Sequence, residues 1–166
     1  MAARKALRNT VAASKRAPKP RAAARSARRA AKDRRTRAPK TLRLRAIEPL
    51  FTVGDLARSV RFYTDTLGFI VDERHTGDNG VLQGVMLKAG VSRLGLSQDD
   101  WAKGRDRQKG VAVRLWCVTA QDVDALAARV KAAGHTLAGE PADEPWGGRS
   151  FAADDPDGFD LTIYQP

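Results

Sequence analysis

Apolar and polar residues alternate along most of this chain with two different periods, and the change from one period to the other marks out its elements. "IEPLFTV", residues 47–53, is a short apolar run rich in strand formers. "GDLARSVRFYTDTLGF" follows, where Leu56, Val60, Tyr63 and Leu67 recur at helical spacing between the N-capping Asp55 and Gly68, a residue suited to end a helix. "FIVDERH", "GVLQGVMLKAG" and "VSRLGLSQ" then read as three strands separated by Gly, Asn and Asp turns. The order repeats. "GVAVRLWCVT" reads as a strand, "TAQD" opens a second helix that Gly134 closes, "HTLAGEP" is a strand, and residues 145–163, "PWGGRSFAADDPDGFDLTI", supply two more. Strand, helix and three strands, twice over, with helices of nearly equal length, indicate a duplicated unit.

The expected architecture is therefore α+β: two βαβββ modules in one domain over 46–166, with module one at 46–98, a linker at 99–110 and module two at 111–166. The segment before it differs in kind. Residues 1–46 carry 17 Lys and Arg against the single acid Asp33, a balance of +16, whereas 47–166 carry 13 basic and 18 acidic residues, a balance of −5. Ala, Arg, Lys and Pro dominate the basic part, which cannot offset its ordering entropy by burial. A disordered basic tail is expected over 1–45, read either as a solvated extension or as a polycation that binds nucleic acid without reading its sequence. No run of residues approaches the ~20 apolar positions of a membrane span. The start lacks the apolar middle of a secretory signal, its Arg-rich character matches a transit peptide while its Pro-Lys repeats do not, and the cytoplasm is the default compartment. Cys117 is the only cysteine, so no internal disulfide is expected.

The duplicated pattern resembles the vicinal oxygen chelate superfamily, which includes glyoxalase I, extradiol dioxygenases and bleomycin-resistance proteins. "VGDLARSVRFYTDTLGF", "DVDALAARVKAAG" and "PWGGRSFAADDPDGFDLTI" carry the resemblance, and the last, with Trp146 before two glycines and Arg149, is most similar to the bleomycin-resistance branch. The resemblance implies a cupped mixed sheet of the glyoxalase/bleomycin-resistance fold, a homodimer with clefts shared between subunits, and sequestration of a small molecule without chemistry on it. The superfamily's metal enzymes place His, Glu or Gln on the first and last strands of each module. The corresponding positions here are Glu48, a residue near Gly95, Val113 or Arg114, and Thr162, of which only Glu48 binds a cation strongly. No metal and no other cofactor are expected.

The remaining candidates are weighed on their own chemistry. Asp154, Asp155, Asp157 and Asp160 read as turn residues around Pro156 and Gly158 rather than as a calcium loop. His75 and His135 read as solvated or capping imidazoles, and Cys117 as core filling. Ligand-binding candidates are Glu48, Phe51, Trp101, Arg114, Trp116, Trp146, Arg149 and Phe151. Trp116 shares a strand face with Arg114 and Val118, Trp146 precedes glycines that let a ligand approach, and Arg149 either donates to a ligand or pairs with Glu144. Phe51 is also a candidate for plain core packing, and Trp101 lies in a linker read either as solvated chain or as an arm that closes on ligand. The expected occupant is an aromatic or cationic compound of the bleomycin type, held on tryptophan faces by an acidic domain. Two alternatives stand beside it: a glyoxalase-like or dioxygenase-like enzyme with ligands elsewhere, and a protein whose basic tail is the functional part.

Overall fold

The structure is a computed structural model that describes residues 24–25, 28–29 and 42–166. The chain divides into two units, Met1–Arg45 and Ala46–Pro166, and only the second is described as a fold. Of the expected disordered tail, 1–45, only residues 24–25, 28–29 and 42–45 are described, and the rest lies outside the described residues.

Each module builds a four-stranded mixed sheet. In the first, β1 (Leu50–Val53), β2 (Ile70–Thr76), β3 (Leu82–Ala89) and β4 (Ser92–Gln98) lie in the order β1-β4-β3-β2. In the second, β5 (Arg114–Val118), β6 (Leu137–Asp143), β7 (Arg149–Asp154) and β8 (Asp160–Gln165) lie in the order β5-β8-β7-β6. The first and last strand of each module pair in parallel, β1 with β4 and β5 with β8, and the other neighbours are antiparallel. The two sheets thus have the same topology, as the duplicated pattern requires.

The helices follow the capping chemistry. Asp55 accepts a bond from the Arg58 amide at the start of α1 (Leu56–Arg61), and Asp122 accepts from the Asp124 and Ala125 amides at the start of α2 (Val123–Ala132). Gly68 and Gly134, at φ +81° and +84°, follow the ends of the two helical segments. Two local expectations change. After Arg61 the first helix widens into a π-helical turn, Phe62–Thr66, whose extra residue per turn lets Phe62 and Tyr63 both be buried. The strand expected from Gly110 starts only at Arg114, because Gly110 and Ala112 take positive φ and the Val113 amide closes a turn onto the Gly110 carbonyl.

One hydrophobic core joins the modules. Phe51 on β1 stacks on Phe159 beside β8 with centroids 3.8 Å apart, and α1, α2 and the inner faces of both sheets contribute to the same cluster. Polar bonds from the β7–β8 turn reinforce it. Asp157 accepts from the Gly54 amide at 2.8 Å and the Ser59 hydroxyl at 3.2 Å, while Asp155 accepts from the Tyr63 hydroxyl at 3.1 Å and from the Asp157 and Phe159 amides at 2.9 Å each. The aspartates read as turn chemistry therefore have a second task, holding the turn of module two against α1 of module one. Asp157→Ala leaves the fully buried Ser59 and the Gly54 amide without their acceptor, so urea unfolding is expected to show a loss of about 2 kcal/mol. An unchanged midpoint would show that this latch carries no stability.

Candidate functional site

Strand β5 decides which side chains reach solvent. Leu115 and Cys117 turn toward the shared core, and Arg114, Trp116 and Val118 lie on the opposite face, exposed. Trp116 is 47% exposed and its register partner on β8 is Thr162. Tyr164, next but one along β8, lies 5.2 Å from Trp116 between ring centroids, and Trp146, 67% exposed, lies 6.5 Å from it at a 45° tilt. The turn that carries Trp146 continues through Gly147 and Gly148 at φ +98° and +79°, and the Tyr164 hydroxyl donates to the Gly147 carbonyl at 2.9 Å. A side chain at Gly148 would collide with the Gln165 carbonyl oxygen and the Tyr164 ring, so the close approach of turn to strand requires glycine there. Three aromatic side chains thus share one open face, with Arg114 on the same face of β5 bonded through Nε to Asp160 at 2.7 Å. Such a face offers a flat molecule stacking surface, and offers a cation ring faces to sit over.

The other sequence candidates lie elsewhere. Phe51, 5% exposed and stacked on Phe159, faces the core and is corrected to a packing residue, because strand alternation turns it inward; Phe151, 2% exposed, also faces the core but borders the cavity between the modules. Arg149 does not pair with Glu144. Its guanidinium makes a two-point contact with Asp124 at 2.8 and 2.9 Å, a bond to Asp143 at 2.8 Å and one to the Pro141 carbonyl at 3.2 Å, while Glu144 accepts from the Ser150 hydroxyl. These bonds push the Arg149 pKa up and pull that of Asp124 down, so the side chain ties β7 to α2. Glu48 lies 3.6 Å from Arg93, which also pairs with Asp72 and Glu73. His75 lies beside Glu73 and His135 stands edge-on to the Phe62 ring.

Trp101 belongs to a separate arrangement. Its ring packs where a side chain on Gly54 would lie, and the Arg105 guanidinium and Lys109 ammonium both sit 5.0 Å from its centre. Asp99, almost fully buried, accepts from Lys109, from Arg107 at 2.9 Å and from the Trp101 amide at 2.9 Å. At the far end Gly110 lies so close to the Gly158 carbonyl that no side chain fits. The linker is therefore fastened at both ends. This network was missed in the sequence because "QDDWAKGRDRQKG" does not say which charges pair.

No His, Cys, Asp or Glu beyond Glu48 stands at the positions matched to metal ligands: Gly95 lies opposite Leu50, and Thr162 opposite Trp116. Among the described residues no three such side chains are grouped so that they could hold a metal ion. This donor set does not fit a divalent ion. Cys117, partly buried, has its thiol pKa pushed up by desolvation, away from a reactive thiolate. Glu48 and Trp116 also border a cavity of about 880 Å³ that opens between the modules on the core side of β5.

Two duplicated βαβββ modules around one core define a small α+β domain with an open aromatic face. The family model described as Glyoxalase/Bleomycin resistance protein/Dioxygenase superfamily matches residues 45–163, and the chain belongs to that family. Similar solved structures include TnmS3, an antibiotic binding protein from Streptomyces sp. CB03234, at 26% identity, TM-score 0.58, 76% coverage of this chain and 99% of that one. A glyoxalase/bleomycin resistance protein from the same organism is 28% identical over 71% of this chain and 97% of its own, with TM-score 0.54. TioX from Micromonospora sp. ML1, at 20% identity and TM-score 0.60 over 72% of this chain and 96% of its own, shares the fold. No curated protein matches the sequence. Among the described residues no helix is long and apolar enough to cross a membrane.

The linker clasp carries a pH prediction. Bonds from Lys109, the Trp101 amide and Arg107 hold the Asp99 carboxyl at about 2, below its ordinary value. Its stabilising contribution is therefore complete above the unfolded pKa of about 4 and is lost as pH falls through about 2. Urea unfolding of the wild type and Asp99→Asn is expected to differ at pH 6 and to converge toward pH 2; a constant gap would rule out the ion pair as its origin.

Proposed function

We propose that the domain captures a flat aromatic or cationic small molecule of the bleomycin type, in the cytoplasm, without a metal and without chemical change to it. The single observation that carries the reading is the set of Trp116, Trp146 and Tyr164 on one open face of sheet two. Stacking and cation–π attraction suit such a ligand, and the −5 balance of residues 47–166 favours a cation over an anion. Likeness to TnmS3, at 26% identity, supports a binding role, and the donor set supports metal independence. Arg114 orients the ligand beside Trp116, Glu48 adds to the attracting field, and Trp101 acts only as part of the clasp.

The binding unit in this reading is a homodimer. Its supports are the exposed apolar side chains Leu50, Ile70, Val118 and Trp146, and the unpaired outer edges of β1 and β5. Titration with proflavine, a flat cationic dye, tests the whole proposal through quenching of tryptophan fluorescence. Trp116→Ala and Trp146→Ala are each expected to weaken binding about tenfold, EDTA to leave it unchanged, and sedimentation equilibrium to give a dimer. Loss of binding on EDTA treatment, restored by a divalent metal, would instead favour the enzyme reading.

A second reading rests on the charge division: the 17 basic residues within 1–46 form a polycation that holds nucleic acid without sequence preference. Deleting residues 1–45 is expected to abolish DNA binding in gel-shift assays and to remove its salt dependence. A truncated protein with the same affinity and salt slope would refute it.

A further inference from the structure

The cavity between the modules is chemically unlike the aromatic face. Its walls are Leu67 and Phe69 after α1, Leu115 and Cys117 on β5, Leu126 on α2 and Ile163 on β8. Two of the polar groups beside these apolar walls carry no charge into the cavity. The Tyr63 hydroxyl donates to Asp155, and burial keeps the Cys117 thiol protonated. At about 880 Å³ the space falls in the range of pockets that enclose drug-sized molecules. Arg93 and Glu48 are the charged residues of its lining. Arg93 is outnumbered by its partners, since Glu48 at 3.6 Å, Asp72 at 3.0 Å and Glu73 at 2.6 Å all pair with it. One cation among three carboxylates repels an anionic head group and leaves an uncharged molecule free to enter.

We infer that this cavity is a second ligand site, distinct from the aromatic face, that takes an uncharged, predominantly apolar small molecule between the two modules. Trp116 borders both sites; Trp146 and Tyr164 border only the face. Occupancy buries apolar surface from both modules at once, and it covers the one thiol of the chain.

Two dyes of nearly the same shape test this in the full chain. N-phenyl-1-naphthylamine is uncharged, and 8-anilino-1-naphthalenesulfonate adds a sulfonate to the same framework. The uncharged dye is expected to bind one per chain, at least tenfold more tightly than the sulfonate, and not to be displaced by saturating proflavine. At saturation it is expected to slow alkylation of Cys117 by N-ethylmaleimide at least tenfold, read by mass spectrometry. Cys117→Leu, which fills part of the space, should weaken the uncharged dye at least fivefold. The thiol protection on wild-type protein stands independently of whether that variant folds. Absence of dye binding, unchanged alkylation at saturation, equal affinity for the sulfonate, or displacement by proflavine would each overturn the proposal.

Discussion

The β7–β8 turn holds the molecule together because two carboxylates in three residues face in different chemical directions. Asp155 accepts from two amides of its own turn and from the Tyr63 hydroxyl; Asp157 reaches back to Gly54 and Ser59. Burial is the largest influence on both buried partners, raising the pKa of Asp155 and of Tyr63, so the phenol stays protonated and donates. Around this polar contact the Phe51–Phe159 stack and both helices close a common core. Neither module could bury its inner sheet face alone, and the latch fixes how the two faces meet.

That arrangement spends one face of each sheet on stability and leaves the other to solvent. On β5 the division runs residue by residue: Leu115 and Cys117 inward, Arg114, Trp116 and Val118 outward. A large aromatic residue at an outward position contributes little to the core, yet it is placed rigidly by a strand whose neighbours are fixed. Tyr164 extends that order to the Trp146 turn through its bond to the Gly147 carbonyl. The open face is therefore preorganised by the same packing that makes the core, and a ligand meeting it has fewer rotamers to immobilise.

The linker shows how charge can be structural in a chain whose net charge invites another interpretation. Lys109 and Arg107 converge on Asp99, and Lys109 and Arg105 lie over the Trp101 ring, so cations of "KGRDRQKG" are committed within the domain. Arg149, between Asp124 and Asp143, is committed in the same way. Counting these side chains as available to ligands overstates what the surface offers.

Periodicity and punctuation in the sequence determined the duplicated βαβββ order, the Asp caps, the glycines at the helix ends and the outward face shared by Arg114, Trp116 and Val118, because these depend on residues a few positions apart. The π-helical turn, the late start of β5, the partners of Arg149 and the inward burial of Phe51 and Phe151 were decided by tertiary structure. So was the reach of Asp157 to Gly54, across 103 positions. A carboxylate or an aromatic ring carries the same local signal whether it ends in a core, a latch or a binding face. Only the packing of one module on the other selects among those fates, since it decides which groups lose water and which partners stand close enough to replace it.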